Sequence, residues 1–153
     1  MPSGATPGSS SRGPLVLVAE DEFLIAMDLE LLLEGHGWRV LGPAATVAEA
    51  LRLLDGGGEG TPDVALLDAD LRDGTAAPVA GRLRALGVPF VLASACDGAR
   101  LAALGLGGAP NVGKPADDRR LLAALAEAAG RRSGVDGPQQ AVAGAPGAAD
   151  VFF

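Results

Sequence analysis

The sequence predicts a single α/β domain, a doubly wound five-stranded parallel sheet. Three features point there. Strand-like apolar runs alternate with helix-like segments five times along the chain. Each strand-to-strand connection holds a helical segment, so successive strands run parallel. The runs Leu15–Ala19 and Val64–Leu67 are continuously apolar, the pattern of strands buried on both faces. A chain of 153 residues can bury one sizeable core.

In order, Leu15–Ala19 is the first strand and residues 23–34 the first helix, closed by Gly35 and Gly37. Residues 39–41 form a short second strand. Thr46 and Glu49 have the spacing of a capping box, opening a helix with Ala50, Leu51 and Leu54 inward. A glycine-rich loop over 55–62 leads to the third strand, Val64–Leu67. Pro78 suits the first turn of a helix with Val79, Leu83 and Leu86 on one stripe. Residues 88–93 are a fourth strand, 99–106 a glycine-weakened helix, and 111–113 a weak fifth strand. Asp117 or Asp118 caps a last helix with Leu121, Leu122 and Leu125 inward. The folded domain is expected over 14–130. Residues 1–13 and 131–153, rich in Gly, Ala, Ser and Pro, are expected as disordered tails.

Composition narrows the function. Hydrophobic residues make up 48 % of the chain, but no run approaches the ~18 residues of a membrane span. The first residues hold no apolar stretch of the signal-peptide kind, so a cytoplasmic place is expected. A net charge of −7 argues against nucleic acid as a direct partner. Cys96 and His36 are single, which excludes an internal disulfide and a Cys/His metal site.

A parallel sheet delivers the residues after its strands to one edge, where such folds place their ligands. Glu20 and Asp21 follow strand one, Asp68 and Asp70 strand three, Ser94 strand four, and Lys114 strand five. Three clustered carboxylates repel one another and call for a hard, oxygen-seeking cation, Mg²⁺. Asp68, at the end of the central strand, is the natural nucleophile toward a phosphoryl group. Lys114 supplies a cation and the Ser94 hydroxyl a donor to phosphoryl oxygens. Lys114 is the only lysine in the chain, and Ser94 the only serine between Arg12 and Ser133, which favours a chemical role for each.

The blocks VLVAEDE (16–22), VALLD (64–68), VLASA (91–95) and KP (114–115) resemble the signature stretches of response-regulator receiver domains, from about Leu15 to Ala129. The resemblance implies a CheY-like, flavodoxin-like sheet of strand order 2-1-3-4-5. It implies Asp68 as phosphoacceptor, with Glu20, Asp21, Asp68 and the backbone carbonyl of Asp70 around Mg²⁺. It further implies Ser94 as the switch hydroxyl, Lys114 as the phosphate-pairing lysine, and a cis Lys114–Pro115 bond. The function so implied is that of a stand-alone response regulator in a two-component phosphorelay, a signalling domain and not an enzyme. Its partner would be a sensor histidine kinase or histidine phosphotransfer protein. Leu24, Asp28 and Leu31 share one face of the first helix and would dock it, while Ala26, Leu29 and Leu33 line the core.

The chain departs from the pattern at Asn111, where receivers carry Tyr or Phe. An Asn there is too polar to fill an apolar gap without an unsatisfied amide. Two other readings use the same residues. A haloacid-dehalogenase-like phosphatase would use Asp68 as nucleophile and Asp70 as general acid, but wants Thr or Val where this chain has Arg72. A pseudo-receiver would bind partners without taking phosphate.

Overall fold

The computed structural model describes residues 13–56 and 60–135, with side chains to 132. Of the expected tails, 1–13 and 131–153, residues 1–12 and 136–153 lie outside the described residues.

β1 (Leu15–Ala19) is buried at every position, as a central strand must be. α1 (Phe23–Gly35) follows and turns back through Gly37, at φ +90°, into β2 (Arg39–Ala44). α2 (Val47–Gly56), β3 (Val64–Leu67), α3 (Ala77–Leu86), β6 (Phe90–Leu92), α4 (Gly98–Ala103) and α5 (Asp118–Val135) complete the alternation. Between β3 and α3 lies a small antiparallel hairpin, β4 (Asp70–Leu71) with β5 (Gly74–Thr75), which no sequence pattern announced.

The main sheet is parallel, in the order β2-β1-β3-β6. β1 pairs Val16 with Val40 on one side and with Val64 on the other. Strand alternation then divides the core in two. Val16, Val18, Val64, Leu66 and Val91 face Leu33 and Trp38 with Leu121, Leu125 and Ala128 of α5. Leu15, Leu17, Ala65, Leu67 and Leu92 face Ala50, Val79, Leu83 and Leu101, from α2, α3 and α4. Burying each Leu or Val fully contributes roughly 1.5–3 kcal/mol before chain entropy is subtracted.

The expected fifth strand is corrected. Among the described residues the sheet has four strands, and the fifth place holds one parallel bridge, Leu92 with Asn111. Pro110 and Pro115 donate no N–H, and Gly113 adopts φ +85°, so a ladder cannot extend there. Other boundaries moved less. β2 runs on to Ala44, and α4 stops at Ala103, before Gly105 at φ +80°. α5 continues through Gly130 to Val135, past the expected end of the domain. Arg132 ties that last stretch to the Gly87 carbonyl and to Asp63.

Candidate functional site

All three main-sheet strands that carry predicted site residues end at the same edge. Glu20 follows β1 and is almost wholly buried. Its N–H donates to the Ala44 carbonyl, and its carboxylate accepts the Glu22 N–H at 2.9 Å. Asp68 follows β3, also buried, its N–H on the Ala19 carbonyl. Ser94 lies just beyond β6, and its Oγ accepts the Cys96 N–H at 3.0 Å. Lys114 reaches in from the loop after the Asn111 bridge. Its Nζ lies 2.7 Å from Asp68 Oδ2 and 3.2 Å from Glu20 Oε2. The Lys114–Pro115 peptide is cis.

Asp21 is half-buried beside this pair, and Glu20, Asp21 and Asp68 each offer an oxygen within 4.8 Å of the others. Two buried carboxylates and a third beside them form a hard, all-oxygen donor set for a small divalent cation. Charge crowding is visible in the ionisations. Burial pushes the Glu20 carboxyl above its ordinary range, and Asp68 adds to that, while the Glu22 N–H and Lys114 pull the other way. Burial draws the Lys114 ammonium down, but hydrogen bonds and charge from Asp68 and Glu20 outweigh it and hold Lys114 above its usual value.

Asp21, Asp68, Asp70, Ser94, Cys96 and Lys114 line an open cleft. Asp70 is at its rim with an exposed side chain. Arg100 of α4 grips that carboxylate with both terminal nitrogens, at 2.9 and 3.2 Å, and also lies 2.8 Å from Cys96 Sγ. The Arg100 hydrogen bond holds the Asp70 carboxyl below its ordinary value. Sequence reasoning missed Arg100.

Asn111, where receivers carry an aromatic, is held by the backbone on both sides. It was expected only to be too polar for an apolar gap, and its carboxamide is instead satisfied by backbone: Oδ1 accepts the N–H groups of Ser94 (3.0 Å) and Gly113 (3.1 Å), and Nδ2 donates to the Ser94 carbonyl at 3.1 Å. On α1, Leu24 and Leu31 are 72 % and 65 % exposed, Asp28 is exposed with them, and Ala26 and Leu33 are buried. Phe23, 70 % exposed, and Met27 extend the apolar part of that surface.

No protein-family model matches the sequence. The phyllosphere-induced regulator PhyR of Methylorubrum extorquens is 39 % identical over 82 residues, which span 52 % of this chain and only 30 % of PhyR. Among solved structures, the signal receiver domain of a modulated diguanylate cyclase from Desulfovibrio desulfuricans G20 superposes with TM-score 0.69. It is 26 % identical, over 79 % of this chain and 97 % of that one. PhyR from Brucella abortus gives TM-score 0.68 at 30 % identity, over 84 % of this chain and 53 % of that one. A CheY-like receiver domain protein from Methanospirillum hungatei JF-1 gives 0.70 at 21 % identity, over 80 % and 98 %, a likeness of fold. Strand order, buried acidic edge and these relatives converge: the chain folds as a CheY-like response-regulator receiver domain.

Proposed function

We propose that this chain is a phosphoacceptor of a two-component phosphorelay, taking a phosphoryl group onto Asp68 and signalling through contact with another protein. The observation that carries this is Asp68 itself. It is buried at the end of a central strand, 2.7 Å from the only lysine and within the three-carboxylate cluster. An Asp68 carboxylate oxygen attacks the phosphorus of a phosphohistidine. The O–P bond forms as the P–N bond breaks, and the imidazole leaves with the electron pair.

Glu20, Asp21 and Asp68, with the Asp70 carbonyl, would hold Mg²⁺, which when bound neutralises charge on the phosphoryl oxygens. Lys114 pairs with a phosphoryl oxygen, and Ser94 donates its hydroxyl to another. The donor, a sensor histidine kinase or histidine phosphotransfer protein, docks on α1 through Leu24, Asp28 and Leu31. A cytoplasmic place accords with the absence, among the described residues, of a helix long and apolar enough to cross a membrane.

The phosphatase reading is disfavoured at Asp70. A carboxyl held ionised by Arg100 is in the wrong state to serve as a general acid. The likeness to PhyR proteins, among them the anti-anti-sigma factor PhyR of Bartonella quintana, supports a protein partner in gene control.

The test is intact mass after incubation with acetyl phosphate and Mg²⁺, and again with a phosphorylated histidine phosphotransfer protein. The wild type should gain one phosphoryl group and Asp68→Asn none. Full labelling of Asp68→Asn overturns the assignment. A wild type that stays unlabelled by both donors favours the pseudo-receiver reading.

A further inference from the structure

The chain contains a single asparagine, Asn111, and its side chain does work that backbone does in a regular sheet. In the one bridge beside β6, Leu92 donates its N–H to the Pro110 carbonyl and accepts the Val112 N–H, both at 2.8 Å. A continuing parallel ladder would next join Ser94 to the carbonyl of Val112 and the N–H of Lys114. Instead the Ser94 N–H goes to Asn111 Oδ1 and the Ser94 carbonyl to Asn111 Nδ2. A carboxamide carries one acceptor and a donor in the same plane, as a peptide group does, so it can stand in for the missing rung. The two N–H donors on Oδ1 fix which end of the amide is oxygen.

Two consequences follow from the geometry. The backbone of Lys114 is released from the ladder, which leaves the loop free to lift at Gly113, φ +85°, and bring Nζ over Asp68. The same Oδ1 also accepts the Gly113 N–H, so one atom ties the residue before Lys114 to Ser94. Ser94 and Lys114 both line the Asp68 cleft, and Asn111 joins the two loops that bear them.

We propose that Asn111 is a positioning residue for phosphoryl recognition: its carboxamide clamps the Ser94 loop to the Lys114 loop, so that hydroxyl and ammonium meet the phosphoryl oxygens as one preorganised unit. Any shift of Ser94 toward the phosphoryl group is then passed to the Lys114 loop through Asn111. The inference rests on Asp68 as the phosphoacceptor and adds the residue that sets the other two groups around it.

The experiment uses the full chain with beryllofluoride and Mg²⁺ as the probe, and Mg²⁺ alone as control. Asn111→Ala removes three hydrogen bonds and should weaken beryllofluoride binding about tenfold. Mg²⁺ binding should stay within about twofold, because Glu20, Asp21 and Asp68 are untouched. Asn111→Asp keeps the acceptor for Ser94 and Gly113 and should recover part of the loss. Amide exchange at Ser94 and Gly113 should accelerate together in Asn111→Ala, at least fivefold, ahead of the β1 and β3 amides. Wild-type beryllofluoride affinity in Asn111→Ala overturns the proposal. So does equal loss of Mg²⁺ and beryllofluoride binding in both variants, which would make Asn111 a support of the fold only. If the wild type itself takes neither beryllofluoride nor phosphoryl groups, the phosphoacceptor reading fails. Clamp and reading still separate there, because unchanged exchange at Ser94 and Gly113 in Asn111→Ala removes the clamp by itself.

Discussion

At 2.7 Å from Asp68 and 3.2 Å from Glu20, the Lys114 ammonium neutralises part of a carboxylate cluster that water reaches poorly. Removing it leaves two buried carboxylates without their cation. Lys114→Ala should therefore cost about 2 kcal/mol, below the ~3–5 kcal/mol of a fully buried pair because Lys114 keeps some solvent contact. Mg²⁺ would then be the remaining source of positive charge, so millimolar Mg²⁺ should raise the melting temperature of Lys114→Ala more than that of the wild type. Calorimetric scans of both proteins with and without Mg²⁺ check this. An equal rise in the two would mean that lysine and cation do not share the Asp68 charge. Asp68, Glu20 and Lys114 were legible because a parallel sheet sends every strand end to one edge, whatever the side-chain details. Arg100 was not. It lies thirty residues from Asp70 on a six-residue helix, and no spacing shows that its guanidinium turns back to the rim.

Among the elements, α2 shows how local signals and distant ones combine. Thr46 accepts the Glu49 N–H at 3.0 Å, and Glu49 reaches back to the Ala45 N–H, as the capping pattern foretold apart from a one-residue shift. The two N–H groups next in line, of Val47 and Ala48, go to Asp73, at 2.6 and 3.2 Å. Asp73 belongs to the turn of the β4–β5 hairpin, so this second cap depends on tertiary structure and could not be seen in sequence. Thr46→Ala should lower stability by about 1 kcal/mol at any pH where the chain is folded. The Asp73 contribution should titrate. Bonding to the Val47 N–H, then to Ala48, lowers its folded pKa below the 3.8 of an ordinary Asp. The stabilisation is thus whole above the unfolded value and fades as pH falls toward the folded one. Denaturant midpoints for wild type and Asp73→Ala should differ at neutral pH, start to converge as pH falls through 3.8, and meet only below the folded value. A gap that persists in acid would assign the effect to something other than the carboxylate.

For the molecule as a whole, the two-sided core was the most legible feature, because helix stripes and continuous apolar strands each encode burial directly. Ala50, Val79, Leu83, Leu121 and Leu125 all point inward as expected. The fifth strand was misjudged because its backbone pairing passes to a side chain, which residue periodicity does not register. The outer face of α1 combines exposed Leu24 and Leu31 with Phe23 and Met27, close to Asp21 and the acidic edge. Leu24→Asp should slow transfer from a histidine phosphotransfer protein about tenfold while leaving acetyl phosphate labelling unchanged. Equal losses with both donors would place Leu24 in the service of the fold.

Trp38 closes the turn into β2 and packs in the α1–α5 half of the core, at the edge of the sheet opposite Asp68. It is the only tryptophan, and the chain has no tyrosine. Intrinsic fluorescence of this protein is therefore a report from one buried place, remote from the acidic cleft. Its emission should shift red on unfolding and stay flat when Mg²⁺ or beryllofluoride is added to the folded chain. An optical titration of the cleft needs a dye of its own, whereas melts followed at Trp38 record stability free of any direct quenching by the ligand.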